Sequence, residues 1–263
     1  MINQRALRLK RRLAGGAFCP GMWVAFPSPS LCELVADSGF DWVVVDAEHV
    51  PYNPETLLHI LLAFRGSETV PIVRVPWNDA VMVKQALDMG WDGVLTPQTN
   101  TPDDVRRAVA ACRYPPLGTR GFGPRRASGY TRDTDQYVAL ANDLVVCAIQ
   151  IEDVAAANRI EEIIAVPGVD WIFVGPCDMS GTAGHYLDTE GPEVQGAIDR
   201  VFTAARAAGI PTCNPFSALA DLERTRESGC PLVMLGDDVG FLRAATDGAL
   251  AAFRATFGGR SEG

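Results

Sequence analysis

Short apolar segments alternate with longer segments of helical spacing along most of the chain. Each short segment is rich in Val, Ile, Phe and Leu and is bounded by Gly or Pro, a pattern that predicts a strand buried on both faces. The eight predicted strands are residues 18–26, 40–46, 70–76, 93–98, 145–152, 169–175, 210–215 and 231–237. The helical segments begin at Ser, Asn or Asp caps and end at Gly, as in residues 28–39 and 78–90.

Strands that are apolar throughout are typical of parallel sheets covered by helices. Eight strand–helix units within 263 residues therefore predict one α/β domain over residues 1–263, a closed (β/α)8 TIM barrel. A doubly wound open sheet is the alternative, but its dinucleotide fingerprint is absent, because the glycine-rich residues 118–123 follow a helix and have the wrong spacing. We expect no nucleotide cofactor. Residues 115–143 form an unusually long connection, which we expect to act as a lid or subunit contact at the top of the barrel.

Charge and composition exclude several classes of partner. A net charge of −9 disfavours nucleic acid and anionic lipid. The basic residues 1–16 predict a short helical segment but lack the apolar core of a secretory signal, and no apolar run is long enough to cross a membrane. We therefore expect a cytoplasmic protein. Seven cysteines occur singly without a C-x-x-C pair, so we expect reduced, mostly buried thiols and no zinc or disulfide framework.

Polar residues collect where the predicted strands end, which is the functional face of such a barrel. They are Asp46, Glu48, His49, Arg74, Gln98, Gln150, Glu152, Asp153, Asp178, Asn214, Asp237 and Asp238. Arg74 lies inside an apolar strand and needs anionic partners there, either carboxylates of this rim or an anionic ligand. Glu152 and Asp178 follow consecutive strands and would repel each other unless a cation lay between them. Such oxygen ligands favour Mg²⁺ or Mn²⁺, whereas zinc is disfavoured because His49 is the one rim histidine.

Lysine usage excludes one mechanism. The chain has two lysines, Lys10 in the basic N-terminal segment and Lys84 in a helix. Neither position provides an amine in the pocket, so we predict no Schiff-base lysine. Asp88 lies on the same helix as Lys84 and is expected to face outward.

Six segments resemble, in order and spacing, the metal-dependent class II pyruvate aldolases. They are DWVVVDAEHVP, PIVRVPWND, ALDMGWDGVLTP, RYPPLGTRGFG, VVCAIQIED and VPGVDWIFVGPCDMS. The resemblance runs from about residue 17 to residue 255. It implies a phosphoenolpyruvate/pyruvate-type barrel that cleaves a 4-hydroxy-2-oxo acid to pyruvate and an aldehyde with Mg²⁺, Mn²⁺ or Co²⁺. It also implies a homohexamer, a trimer of dimers, in which the C-terminal helix is swapped between subunits.

The resemblance assigns roles to individual residues. Glu152 and Asp178 would be the metal ligands, and Arg74 would hold the oxygen of the pyruvate enolate. His49 would act as acid or base, oriented by Asp46. The pyruvate pocket would be lined by Gln150, Gly175, Pro176 and Cys177, and Asp88 would contribute to the site of a neighbouring subunit. Glu48 and His185 receive no role.

The residues support this chemistry independently. Cleavage of a carbon–carbon bond beta to a ketone builds an enolate, whose charge a divalent cation and a fixed arginine stabilise. Moving a proton at the C4 hydroxyl suits a histidine. Val50, Tyr52 and Met179 depart from the family pattern near the aldehyde side, so the aldehyde is left open.

Two other hypotheses stay open. A related enolate-forming enzyme, of the citrate lyase β or malyl-CoA lyase type or a citrate-forming relative, would keep the same site with a different partner. A non-catalytic keto-acid binding protein would bind pyruvate and metal without turnover. Dependence on acetyl-CoA would indicate the first, and binding without turnover would indicate the second.

Overall fold

The computed structural model describes residues 2–214, 219 and 222–258. The strands are β1 Cys19–Val24, β2 Trp42–Asp46, β3 Val70–Arg74, β4 Gly93–Thr96, β5 Val146–Ile151, β6 Trp171–Val174 and β7 Leu232–Asp237. The helices are α1 Arg5–Ala14, α2 Pro29–Asp37, α3 Pro54–Ala63, α4 Ala80–Met89, α5 Pro102–Cys112, α6 Thr134–Leu144, α7 Val154–Ala157, α8 Ile160–Ile164, α9 Pro176–Thr182, α10 Pro192–Ala207, α11 Leu222–Ser228 and α12 Asp238–Phe257.

The strands form one open, curled, parallel sheet in the order β6-β5-β4-β3-β2-β1-β7. The predicted closed eight-stranded TIM barrel is therefore wrong. The predicted strand at 210–215 forms only two isolated bridges, Thr212 to Ile172 and Cys213 to Leu232, and residue 215 lies outside the described residues. The physical reason is local, because Pro211 has no N–H to donate and the apolar run around it is too short to form a regular ladder.

Two apolar clusters enclose the sheet. The larger cluster lies between the strands and the helices and includes Val43, Val73 and Ile149. The smaller lies on the concave face, where Trp42 and Trp171 are almost fully buried. A β-carbon at Gly21 would lie 2.1 Å from the Trp42 ring, so the first strand needs glycine there.

Helix α1 covers the amino end of the concave face. Its Ala6, Leu9 and Leu13 belong to the inner cluster. Its basic residues pair with acids that stand before the strands, for example Lys10 with Asp170 at 2.8 Å. The predicted N-terminal helical segment is thus part of the packed fold.

The long connection lies at the opposite end of the sheet from the one that we expected. Helix α5 runs back from the carboxyl end of β4, and β5 begins after α6, so residues 113–133 lie beside the amino ends of the strands. Arg126 accordingly donates to the carbonyl of Met89 at the end of α4. The connection is therefore no lid over the rim of its own chain. Within the described residues, no helix is both long and apolar enough to cross a bilayer.

Candidate active site

The centre of the rim is an ion pair between neighbouring strands. Asp46 ends β2 and Arg74 ends β3, and the parallel register places the two residues side by side. Arg74 Nε donates to Asp46 Oδ1 at 2.9 Å and Nη2 donates to Oδ2 at 2.8 Å. Both side chains are buried, so this bidentate pair fixes the plane of the guanidinium.

Three further side chains surround Arg74. Its Nη1 lies 3.2 Å from Glu48 Oε2 and 3.5 Å from Gln150 Oε1. The guanidinium carbon lies 4.5 Å from the centroid of the Trp23 ring, within the range of a cation–π contact. Arg74 is therefore a fixed positive charge between two carboxylates.

His49 is the exposed member of this cluster. Its side chain is 64% exposed, and Nε2 lies 3.8 Å from Glu48 Oε2. Asp46 Oδ1 accepts the backbone N–H of Glu48 at 3.0 Å and that of His49 at 3.4 Å. These bonds end β2 in a turn, so Asp46 positions His49 through the backbone while the imidazole faces Glu48.

Glu152 stands after β5 and is 2% exposed. Its Oε1 accepts the backbone N–H of Gln98 at 2.6 Å, and its Oε2 accepts the amide of Gln150. Gln98 has a φ of +53°, a left-handed conformation that few residues other than glycine adopt. The unusual backbone at the end of β4 thus aims an N–H at this carboxylate.

The turn after β6 approaches Glu152 closely. A β-carbon at Gly175 would lie 2.7 Å from Glu152 Cβ and 3.0 Å from its Oε2, so glycine is required. Pro176 then begins α9 and is buried, whereas Cys177 and Asp178 are exposed in the first turn. The backbone of this turn forms one wall of the rim.

The rim carries more negative charge than Arg74 neutralises. Burial raises the pKa of Glu152 to about 7, and the charges of Glu48 and Asp178 add to this effect. Burial also raises the pKa of Glu48. Burial opposes ionisation of Asp46 too, but the hydrogen bonds and charge of Arg74 outweigh it and lower the pKa of Asp46. An unneutralised carboxylate remains at Glu152.

That excess charge fits a divalent cation. Within the described ranges, no three His, Cys, Asp or Glu side chains form a metal-binding group. Two carboxylates, Glu152 and Asp178, interact electrostatically at the rim, and one of them is buried. Hard oxygen donors with open positions suit Mg²⁺ or Mn²⁺, which retain water and take ligands from substrate. The carboxylates of Glu152 and Asp178 therefore fit a divalent metal ion.

Asp88 lies away from this rim. It stands in the last turn of α4, and its Oδ1 accepts Arg120 Nη2 at 2.6 Å. The Arg120 side chain is fully buried, and its Nε and Nη1 have no hydrogen-bond partner among the described residues, although the guanidinium lies 4.5 Å from the centroid of the Tyr114 ring. Two rim acids have structural contacts, since Asp237 caps α12 and Asp238 accepts the backbone N–H groups of residues 25 and 26.

The sequence placed Glu48 and Gln98 at the rim without assigning them a role, and it did not single out Trp23. Glu48 contacts Arg74, Trp23 stacks on it, and Gln98 holds Glu152. Glu48 carried a signal, because it lies between two residues that were assigned roles. A left-handed glutamine gives no such signal in the sequence.

Comparison with known proteins supports this interpretation. Residues 20–245 match the model of the family described as HpcH/HpaI aldolase/citrate lyase. The chain is 37% identical to 5-keto-4-deoxy-D-glucarate aldolase of Salmonella paratyphi A over 239 residues, 91% of this chain and 93% of the relative.

Two solved structures are similar throughout. One is an HpcH/HpaI aldolase/citrate lyase family protein from Burkholderia cenocepacia J2315, with a TM-score of 0.89, 35% identity, and coverage of 94% of this chain and 99% of the other. The second is the citrate synthase SbnG, with a TM-score of 0.85, 30% identity, and coverage of 94% and 98%.

The sheet, the carboxylate and arginine rim, and these relatives define a carbon–carbon lyase, specifically a metal-dependent aldolase. The chain belongs to the HpcH/HpaI aldolase/citrate lyase family. The family resemblance and the aldolase activity predicted from the six sequence segments are thereby confirmed.

Proposed function

We propose that this aldolase cleaves a sugar-derived 4-hydroxy-2-oxo acid to pyruvate and an aldehyde. The observation that carries the proposal is Arg74, fixed by Asp46 and Glu48 beside the buried carboxylate of Glu152. A fixed cation next to a candidate metal site is what an enolate oxygen requires.

The named relative suggests the substrate class. 5-Keto-4-deoxy-D-glucarate, numbered from its other end, has a ketone at C2, a methylene at C3 and a hydroxyl at C4. It is therefore a 4-hydroxy-2-oxo acid. Cleavage between C3 and C4 would release pyruvate and a three-carbon aldehyde acid.

Glu152 and Asp178 would hold the divalent metal. When bound, that metal acts as a Lewis acid toward the keto acid's carboxylate and carbonyl. Glu152 must be ionised to serve as a ligand, and Gln98 N–H and the Gln150 amide orient it. Gln150 and the backbone of residues 175–177 would line the pyruvate pocket.

Arg74 would hold the C2 oxygen, and His49 would move the proton. In the cleavage direction, neutral His49 takes the C4 hydroxyl proton, the C3–C4 bond breaks, and its electron pair passes into the pyruvate enolate. Arg74 stabilises the charge on that oxygen, and a proton added at C3 then gives pyruvate. The exposed imidazole lies where a substrate approaching the rim can reach it.

We further propose that the molecule is a homohexamer, a trimer of dimers, with α12 swapped between subunits. Helix α12 has 20 residues, of which Asp238 is the buried one. Its exposed apolar side chains include Leu242, Leu250 and Phe253. In such an assembly Asp88 would contribute to the neighbouring subunit's site. Its hydrogen bond from Arg120 would then orient a carboxylate of that site.

The test is pyruvate release by metal-stripped protein that is resupplied with Mg²⁺, Mn²⁺ or Co²⁺. A panel of aldehydes, assayed with pyruvate in the synthetic direction, would identify the aldehyde partner. Failure to release pyruvate from any 4-hydroxy-2-oxo acid with all three metals would refute the proposal.

A citrate-forming activity is the second candidate, and the similarity to the citrate synthase SbnG favours it. The same preparation should be assayed with oxaloacetate and acetyl-CoA. Turnover that requires acetyl-CoA, in the absence of pyruvate-dependent aldol formation, would identify this alternative.

A further inference from the structure

A cavity of about 410 Å³ lies at the end of the sheet opposite the rim. It is bounded by the ends of α3 and α4, by the residues before β5 and by the connection at 126–133. One strand of five residues, about 13 Å, separates this end from the carboxyl rim. The cavity is therefore a different place from the candidate active site, and its volume is typical of small-molecule sites.

The cavity is electropositive in an otherwise acidic protein. The charged residues that line it are Arg5, Arg65, Arg126, Arg132, Asp92 and Asp133. Arginines thus outnumber acids there, although the whole chain has a net charge of −9. Burial and the charges of Arg65 and Arg5 lower the pKa of Arg126. An anion bound in the cavity would relieve this repulsion.

Two of these arginines have side-chain N–H groups without an acceptor among the described residues. Arg5 is occupied by Asp92 and by the Phe64 carbonyl, and Arg126 donates to Met89. The side chains of Arg65 and Arg132 make no hydrogen bond or ion pair to another described residue. Their forked guanidinium groups are suited to carboxylate or phosphate oxygens.

We propose that this cavity binds a small organic anion, with the anionic head group on Arg65 and Arg132, two exposed arginines of its wall. The apolar body of the ligand would lie against Leu62 and Phe64, which also line the cavity. The head group is a carboxylate or a phosphate monoester, since the arginine fork accepts both.

The test is calorimetric titration of the full chain with benzoate and with phenyl phosphate, with benzyl alcohol as the neutral control. Saturable binding of either anion, at least about tenfold tighter than benzyl alcohol, is expected. The anion that binds more tightly identifies the head group. No saturable binding of either anion would overturn the proposal.

Variants separate this cavity from the rim. The double change Arg65→Gln and Arg132→Gln should weaken anion binding about tenfold or more. Arg106→Gln, an exposed arginine on α5, is the matched control and should leave binding unchanged. Arg74→Gln should also retain binding. Binding that survives the double change but is lost in Arg74→Gln would place the anion at the rim and refute the proposal.

The aldolase assay keeps the two proposals distinct. Without added anion, the double variant should cleave substrate at the wild-type rate, because its altered residues lie at the amino end of the sheet. Failure of the anion titration would leave pyruvate release untouched, and failure of pyruvate release would leave the titration result standing.

Discussion

Arg74 depends on the residues around it for its position. Asp46 holds it in two hydrogen bonds, Glu48 supplies a second negative charge, and Trp23 stacks on its face. Breaking such a buried network leaves a charge without its partner, which costs more than the intact pair contributes to stability.

His49 is predicted to carry the proton in catalysis. His49→Ala should lower kcat by about 10²- to 10⁴-fold, the usual contribution of a general acid or base, while metal affinity is retained. Turnover and metal titration should be measured together. His59→Ala changes an exposed histidine on α3 and serves as the matched control. Loss of metal binding in His49→Ala would show that His49 is a ligand.

Asp46 gives a pH-dependent prediction for stability. Its folded-state pKa is lowered, so its contribution is present above the ordinary aspartate pKa of about 3.9 and is lost as the pH falls through the folded-state value. Asp46→Asn should destabilise by about 3 kcal/mol at pH 6 and by less at pH 3. Denaturant unfolding at both pH values measures this. Asp103→Asn, on an exposed residue, is the control, and an equal penalty at both pH values would contradict the prediction.

At the level of secondary structure, the turn from β6 into α9 determines the room available at Glu152. Gly175→Ala would place a methyl carbon 2.7 Å from Glu152 Cβ, so one of the two backbones must move. We expect kcat/KM to fall about tenfold or more, because small displacements of a catalytic group are costly.

The control for Gly175→Ala is Gly196→Ala. Gly196 lies inside α10, and no atom lies within 4 Å of a β-carbon added there. This change should leave kcat/KM unchanged and stabilise the helix by up to about 1 kcal/mol. Equal kinetics for the two variants would show that the close approach has no catalytic consequence.

Seven of the eight predicted strands occur, each shortened by one to three residues relative to its apolar run. Apolar runs bounded by Gly and Pro specify buried parallel strands well, and strand ends specify where polar residues meet. Asp46 and Arg74 could therefore be placed together. The sequence alone does not determine whether residues 210–215 form a regular strand, because the prolines in this segment and its pairing with distant strands decide the outcome. The φ of Gln98 also depends on tertiary contacts.

At the scale of the whole molecule, α12 packs little of its surface against its own chain, since Asp238 is its one buried residue. Its exposed apolar stripe, Val239, Leu242, Leu250, Phe253 and Phe257, repeats at helical spacing. An exposed apolar stripe of this length is typical of a protein–protein interface.

Phe253→Asp should therefore reduce the molecular mass in solution, as measured by light scattering after size exclusion. A charge in an apolar interface costs more than the lost contact alone. Ala251→Asp places the same charge away from the stripe and should leave the mass unchanged. A Phe253→Asp protein with the wild-type mass would contradict the swapped-helix proposal.

The two lysines have a practical consequence. Lys10 is held against Asp170 and donates to the carbonyl of Val145, whereas Lys84 is exposed on α4. Amine-reactive dyes or resins should therefore couple mainly at Lys84, apart from the chain's own amino group. Each chain could thus be attached to a solid support mainly through one side chain, without chemical modification of the rim of its own chain.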